Sequence, residues 1–242
     1  MNIKLGFLGH SGFVVDHPDF RLVFDWYQDP AGVLLEQDRR PIVYFASHTH
    51  HDHWNDGLLQ PHPGREVHRI LDRGCAARVT AAGADGCANL CYVHDDTVLE
   101  LRLGAEMLRV ECFPSTDEGV AFVVYVAGLT LYHAGDLNCW DWQDEEGPAM
   151  RRRYREILAQ IRERLGTRRL DLAMVPLDSR LGETALDGCL ELVRQLRPCI
   201  IVPMHLNGGK ELPASLEKHM GSQAATRVLT FTEPGRTARI EF

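Results

Sequence analysis

Four histidines and an aspartate share six consecutive positions, His48-Thr49-His50-His51-Asp52-His53, and nothing else in the 242-residue chain constrains its fold as strongly. The nearly all-apolar run Ile42 to Ser47 before them reads as a strand buried on both faces, so the cluster begins where that strand enters a loop. In an extended segment positions 48 and 50 point the same way, and two imidazoles can meet one ion. A turn after them lets Asp52 and His53 reach a second. Imidazole nitrogens and carboxylate oxygens are the donors preferred by zinc and its divalent neighbours. A solvated loop is the bland alternative, but imidazoles packed this densely repel one another below pH ~6.5 and gain nothing without a ligand. His51 alternates away from His48 and His50 and is expected outside any metal contact.

The rest of the composition narrows the class. With 45% apolar and 25% charged residues the chain is globular, which excludes disordered, collagen-like and coiled-coil readings. The longest apolar run, Val120 to Leu129, is too short to span a bilayer. The segment from Met1 to Gly9 lacks the pattern of a secretory signal. Seven Cys with no CxxC pair point to reduced thiols and a cytoplasmic protein. A net charge of −8 argues against a nucleic-acid partner, and a homo-oligomer is left open.

Short β-branched or aromatic runs predict strands at Ile3 to Leu8, Gly12 to Asp16, Arg21 to Trp26, Leu108 to Cys112 and a hairpin over Val120 to Tyr132. Helical spacing marks Met150 to Leu165 and Ala185 to Leu196, with a strand between them at Leu170 to Leu177. Ile200 to Val202 and two runs around Pro234-Gly235 add further strands. The segments between the histidines and Leu108 are ambiguous. One domain over 1–242, of two β-rich layers with helices outside, is the simplest architecture.

His48-x-His50-x-Asp52-His53 resembles the signature of the metallo-β-lactamase superfamily. Tyr132-His133-Ala134-Gly135-Asp136 is similar to that family's strand-then-Gly-Asp motif, and Val202-Pro203-Met204-His205 to its strand-terminal histidine. The resemblance runs from Gly9-His10-Ser11-Gly12 to Pro234-Gly235, and more narrowly to a bacterial branch related to lactonase-type members. It implies an αββα four-layer sandwich, mostly antiparallel or mixed in its sheets, with helices on both outer faces. It also implies two divalent ions, zinc in the first place with manganese or iron as alternatives. His48 and His50 would hold the first ion and Asp52, His53 and His205 the second, with Asp136 bridging. The implied reaction is hydrolysis of a small ester, lactone or phosphodiester by a metal-bound hydroxide, with Asp52 holding that hydroxide and receiving its proton.

One departure stands out. The family supplies a third histidine to the first ion, whereas the matching place here is Pro114-Ser115-Thr116-Asp117-Glu118-Gly119. Asp117 or Thr116 fills the position, or Asp117 caps a turn and the first site is weak. An oxygen donor there shifts preference from zinc toward manganese or iron. His133 and His10 are further candidates beside the ions, His10 with an equal claim as a turn residue. Trp140 and Trp142 either wall a substrate pocket or cover the core edge. Arg180 either takes an anionic substrate group or pairs internally with Asp178. Arg151 to Arg153 read as a solvated helix face.

Three other functions compete. A nuclease is disfavoured by the charge and by the lack of a basic stripe. Di-iron members that reduce oxygen or nitric oxide carry Glu where His50 stands and need a flavin domain. A non-catalytic descendant that binds metal or ligand is favoured only by the missing histidine.

Overall fold

The computed structural model describes residues 2–34, 38–221 and 225–242. Turn formers break the β-branched and aromatic N-terminal half into β1 (Asn2–Gly9), β2 (Gly12–Asp16) and β3 (Arg21–Phe24), which pair antiparallel. β4 (Ile42–Ala46), β5 (Val67–Asp72) and β6 (Leu90–Val93) extend that sheet in parallel. The second sheet mirrors this plan. β7 (Val98–Leu103), β8 (Glu106–Pro114), β9 (Val120–Val126) and β10 (Leu129–His133) are antiparallel. β11 (Leu172–Pro176), β12 (Ile200–Met204) and β13 (Arg227–Val228) continue it in parallel. β14 (Thr237–Glu241) returns to pair with β1.

The sheets meet through aromatic side chains: Phe24 stacks on Phe45 at 4.5 Å, and Phe45 meets Phe122 edge-on at 5.3 Å. On the far side of the second sheet, helix α2 (Gly147–Leu165) buries Tyr154, Ile157, Leu158 and Ile161 in the same core as Leu192 of α3 (Asp187–Leu196) and Leu216 of α4 (Leu212–Met220). Over the outer face of the first sheet, Val79 of the short α1 (Ala76–Ala81) and Leu58 of the turn Asp56–Leu59 pack on Val14, Val23 and Tyr44. The layers are therefore those of an αββα sandwich with mixed sheets.

Three local expectations change. The third strand stops at Phe24 rather than Trp26, because Asp25 takes φ 42° and turns its carboxylate out of the strand direction. The ambiguous stretch holds β5 to β7. Met150 leaves the apolar face of its helix and packs beside Trp140 and Leu181 instead of entering the main core.

This topology carries the ends of β1, β3, β4, β10, β11 and β12 to one edge of the sandwich, delivering His10, Asp25, His48 to His53, Asp136, Asp178 and His205. Ligands commonly sit beyond the carboxyl ends of such parallel strands. Two glycines allow the close approach there. A Cβ on Gly119, at φ 69°, would lie 1.8 Å from the Ser47 carbonyl oxygen, and one on Gly135, at φ 53°, 2.7 Å from the Ser47 Cβ. The Ser47 oxygen also accepts from the Val120 N–H at 3.2 Å, which ties the two sheets together beside the histidines. Gly119→Ala should cost about 2–4 kcal/mol, from overpacking and a disfavoured backbone angle. Thermal unfolding should show a fall of about 5–15 °C, and an unchanged midpoint would contradict this packing.

Candidate metal centre

At that edge the side chains form two groups of converging donors, His48 with His50 and Asp136, and His10 with Asp52, His53 and His205; within each group the donor atoms lie inside 4.8 Å. Asp136 stands between them. Its Oδ2 is 3.3 Å from His48 Nε2, while its Oδ1 is 3.3 Å from His53 Nε2 and 3.7 Å from His205 Nε2. Four inward atoms, His10 Nε2, His48 Nε2, His53 Nε2 and Asp136 Oδ1, are buried without a hydrogen-bond partner. A buried polar atom left so costs about 1–3 kcal/mol. Nitrogen and oxygen donors that converge and stay unpaired fit divalent cations, and the residues present match that group.

The outward atoms of the same rings are tied down. His53 Nδ1 donates to Asp25 Oδ2 at 2.8 Å, and His205 Nδ1 donates to Asp178 Oδ2 at 2.8 Å. Asp25 also accepts from the Ser47 N–H and hydroxyl, and that hydroxyl lies 2.9 Å from His48 Nδ1. Such carboxylate–histidine pairs fix ring orientation and raise ligand basicity. Sequence reasoning missed Asp25. The β-branched and aromatic run reads as a strand straight through it to Trp26, and its partner lies 28 residues away. His133 also serves this frame. Its Nε2 donates to the Ser11 carbonyl at 2.9 Å, its Nδ1 accepts from the Gly135 N–H, and its ring stacks on Phe24.

Burial opposes charge throughout, and the neighbours decide the outcome. Burial would lift the Asp25 carboxyl, but the His133 and His53 imidazoles bring it down to about 2. Asp136 is likewise held well below the carboxylate range by His48, His53 and His205. Burial pushes His53 down, yet Asp25 more than compensates and raises it to about 9. His10 is lowered to about 4 by burial, with His205 and His53 adding to the effect.

The remaining candidates take distinct places. The Thr116 hydroxyl donates to the Asn138 carbonyl at 2.6 Å and accepts from the Asn138 N–H, so it is engaged by backbone. Asp117 lines the cleft but belongs to neither donor group. Its neighbour Glu118, which sequence reasoning passed over, brings Oε2 to 3.3 Å from His50 Nε2. His51 is 93% exposed. A cleft of about 390 Å³ opens over the donors. On its wall Trp140 is buried and gives its indole N–H to the Asp136 carbonyl, while the half-exposed Trp142 stacks on it at 6.2 Å. The Arg180 guanidinium sits over Trp142 and grips both Asp178 oxygens. Arg151 is more than a solvated residue, since it pairs with Asp141 and Asp187.

Comparison with known proteins places this geometry among relatives. The profile of the beta-lactamase superfamily domain matches residues 4–148. A protein named UPF0173 metal-dependent hydrolase from Opitutus terrae is 25% identical, the alignment covering 98% of this chain and all of the relative. Among solved structures, the metallo hydrolase Igni18 from the archaeon Ignicoccus hospitalis is 20% identical and superposes over the whole of both chains with a TM-score of 0.71. The diiron β-hydroxylase CmlA from Streptomyces venezuelae, 12% identical, superposes over 98% of this chain and 54% of its own with a TM-score of 0.68. Both show the fold.

Above pH 9, where the His53 proton no longer competes, Asp25→Asn should weaken cation binding about 10–100-fold by releasing His53, as measured by chelator competition; unchanged affinity there would remove Asp25 from the frame. A cation at His53 must displace the proton that Asp25 favours there. Affinity should therefore rise roughly tenfold per pH unit toward about 9 and then level off. A pH-independent affinity would contradict the His53–Asp25 coupling.

Proposed function

This chain is a member of the beta-lactamase superfamily, and on that premise we propose that it is a metal-dependent hydrolase acting on a small ester, lactone or phosphodiester. The observation that carries the reading is Asp136, whose Oδ2 faces His48 and whose Oδ1 faces His53 and His205 at the base of a cleft. The name borne by the Opitutus terrae relative points the same way. His48, His50 and Asp136 would hold one divalent cation, and Asp52, His53 and His205, with Asp136, the other. Zinc is the first choice, with manganese or iron as alternatives. Bound there, such cations polarise the scissile group of a substrate and lower the pKa of water.

The chain's own residues supply the rest. Burial raises the Asp52 carboxyl, but His53 and His10 outweigh it and hold the group below its ordinary value, so it is ionised at neutral pH. With Oδ2 turned to His10 at 3.2 Å, we assign Asp52 the proton given up by the attacking water. Trp140 and Trp142 give the substrate an apolar wall and exclude bulk water from it. The Arg180 fork uses Nε and Nη2 on Asp178, leaving Nη1 for an anionic group of the substrate. Asp117, Asp144 and Glu146 around the cleft repel a polyanion, which supports a small substrate over a nucleic acid. Among the described residues, no helix is long and apolar enough to cross a membrane.

Protein expressed with zinc, manganese and iron supplied should carry divalent metal by elemental analysis. It should turn over a member of an ester, lactone and phosphodiester panel, lose that activity to a chelator and regain it with the cation. A metal-loaded chain inert across the panel would instead support the ligand-binding descendant. Asp52→Ala should lower kcat by at least about 100-fold. Trp142→Ala should raise KM about tenfold at nearly constant kcat, because a wall contact acts equally on bound substrate and transition state. A fall in kcat at constant KM would place Trp142 in the chemistry instead.

A further inference from the structure

We infer that His10 is itself a metal ligand, and that it makes the group formed with Asp52, His53 and His205 the tighter of the two cation sites. The inference rests on the metal-dependent reading above and extends it to the order in which the sites fill.

The first group lacks an imidazole. Thr116, in the place of the third histidine, spends its hydroxyl on the Asn138 backbone in both directions. That leaves His48, the half-exposed His50 and the shared Asp136, with the exposed Glu118 beside His50. The second group has gained what the first lost. His10 brings a third imidazole to His53, His205 and the Asp52 carboxylate, with all four donor atoms inside 4.8 Å.

The backbone holds His10 there. It turns between β1 and β2 at φ 50°, and His205 leaves β12 at φ 60°, both in the left-handed region that side chains other than glycine seldom occupy. The His205 N–H donates to the His10 carbonyl at 3.1 Å, and the two rings lie 3.9 Å apart between centroids. The next residue is anchored as well, because the Ser11 carbonyl accepts from His133. Two facing histidines in a rare conformation, locked by their own backbones, form a preorganised pair of donors. His10 Nε2 is buried, 3.2 Å from Asp52 Oδ2, yet makes no hydrogen bond to it. His53 and His205 each meet their orienting carboxylate through Nδ1 and turn Nε2 toward Asp136, and His10 likewise points its buried Nε2 inward, at Asp52 Oδ2. That is the posture of a ligand.

Cobalt(II) titrated into the metal-free chain, followed by equilibrium dialysis and visible absorption, tests this. The unaltered chain should bind in two steps. His10→Asn, which keeps a residue tolerant of positive φ, should weaken the tighter step by at least about 100-fold, beyond the loss of an outer partner, and alter the spectrum of the first equivalent. His50→Ala should instead weaken only the looser step. In the unaltered chain, the ¹⁵N resonance of His10 Nε2 should shift with the first equivalent of zinc, a readout that does not depend on a variant folding. Normal cobalt binding with an unchanged His10→Asn titration, or a stationary His10 resonance, would overturn the assignment while leaving the metal-dependent reading intact. No cobalt binding by the unaltered chain would overturn both.

Discussion

Asp136 sits where two clusters of imidazoles converge, with its two oxygens turned to different clusters and its charge held by three histidines. Everything near it is arranged to keep unpaired donors buried at close range. Without cations that arrangement works against folding, since each orphaned atom forfeits its hydration and the rings crowd one another. The fold must therefore supply the opposing stability elsewhere. It does so in the aromatic layer between the sheets, where Phe24, Phe45 and Phe122 pack, and in the helices that cover the second sheet.

The frame around Asp136 has a clear hierarchy. Strand ends bring the donor side chains to one edge, and Gly119 and Gly135 let the second sheet approach the Ser47 turn closely enough to bring His48 beside Asp136. Asp25 and Asp178 then set the rings, each from the end of a strand adjacent to the one whose histidine it orients. Arg180 completes the second of these chains by gripping Asp178 while covering Trp142. The cleft wall and the frame of the histidines thus share residues, so changes in the cleft will be felt at the donors.

The sequence disclosed these parts unequally. His48 to His53 stood out because donors gathered in one loop lie close in sequence, and Asp136 and His205 followed from their resemblance to the family's later motifs, taken in order. The strands β1, β2, β4 and β9 were visible as β-branched, aromatic or apolar runs, and the apolar face of α2, Met150 apart, from its helical spacing. Asp25 was hidden because its importance lies in a contact 28 residues away, and because the strand pattern reads on through it. Thr116 was found by its place in the motif order, but its engagement with Asn138 depends on the folded backbone. His10 was visible as a residue and ambiguous in role, since only the folded β1–β2 turn brings its ring to within 3.9 Å of that of His205.

What emerges is a superfamily centre whose imidazoles are distributed unevenly, beneath a cleft with an indole wall, one cationic fork and an acidic rim. Anomalous diffraction from crystals soaked in zinc tests the shared role of Asp136 most directly. Two peaks, one on each side of the Asp136 carboxylate, are expected, with the peak beside His53 and His205 the better occupied. A single peak away from Asp136, or none at the histidines, would contradict the binuclear centre.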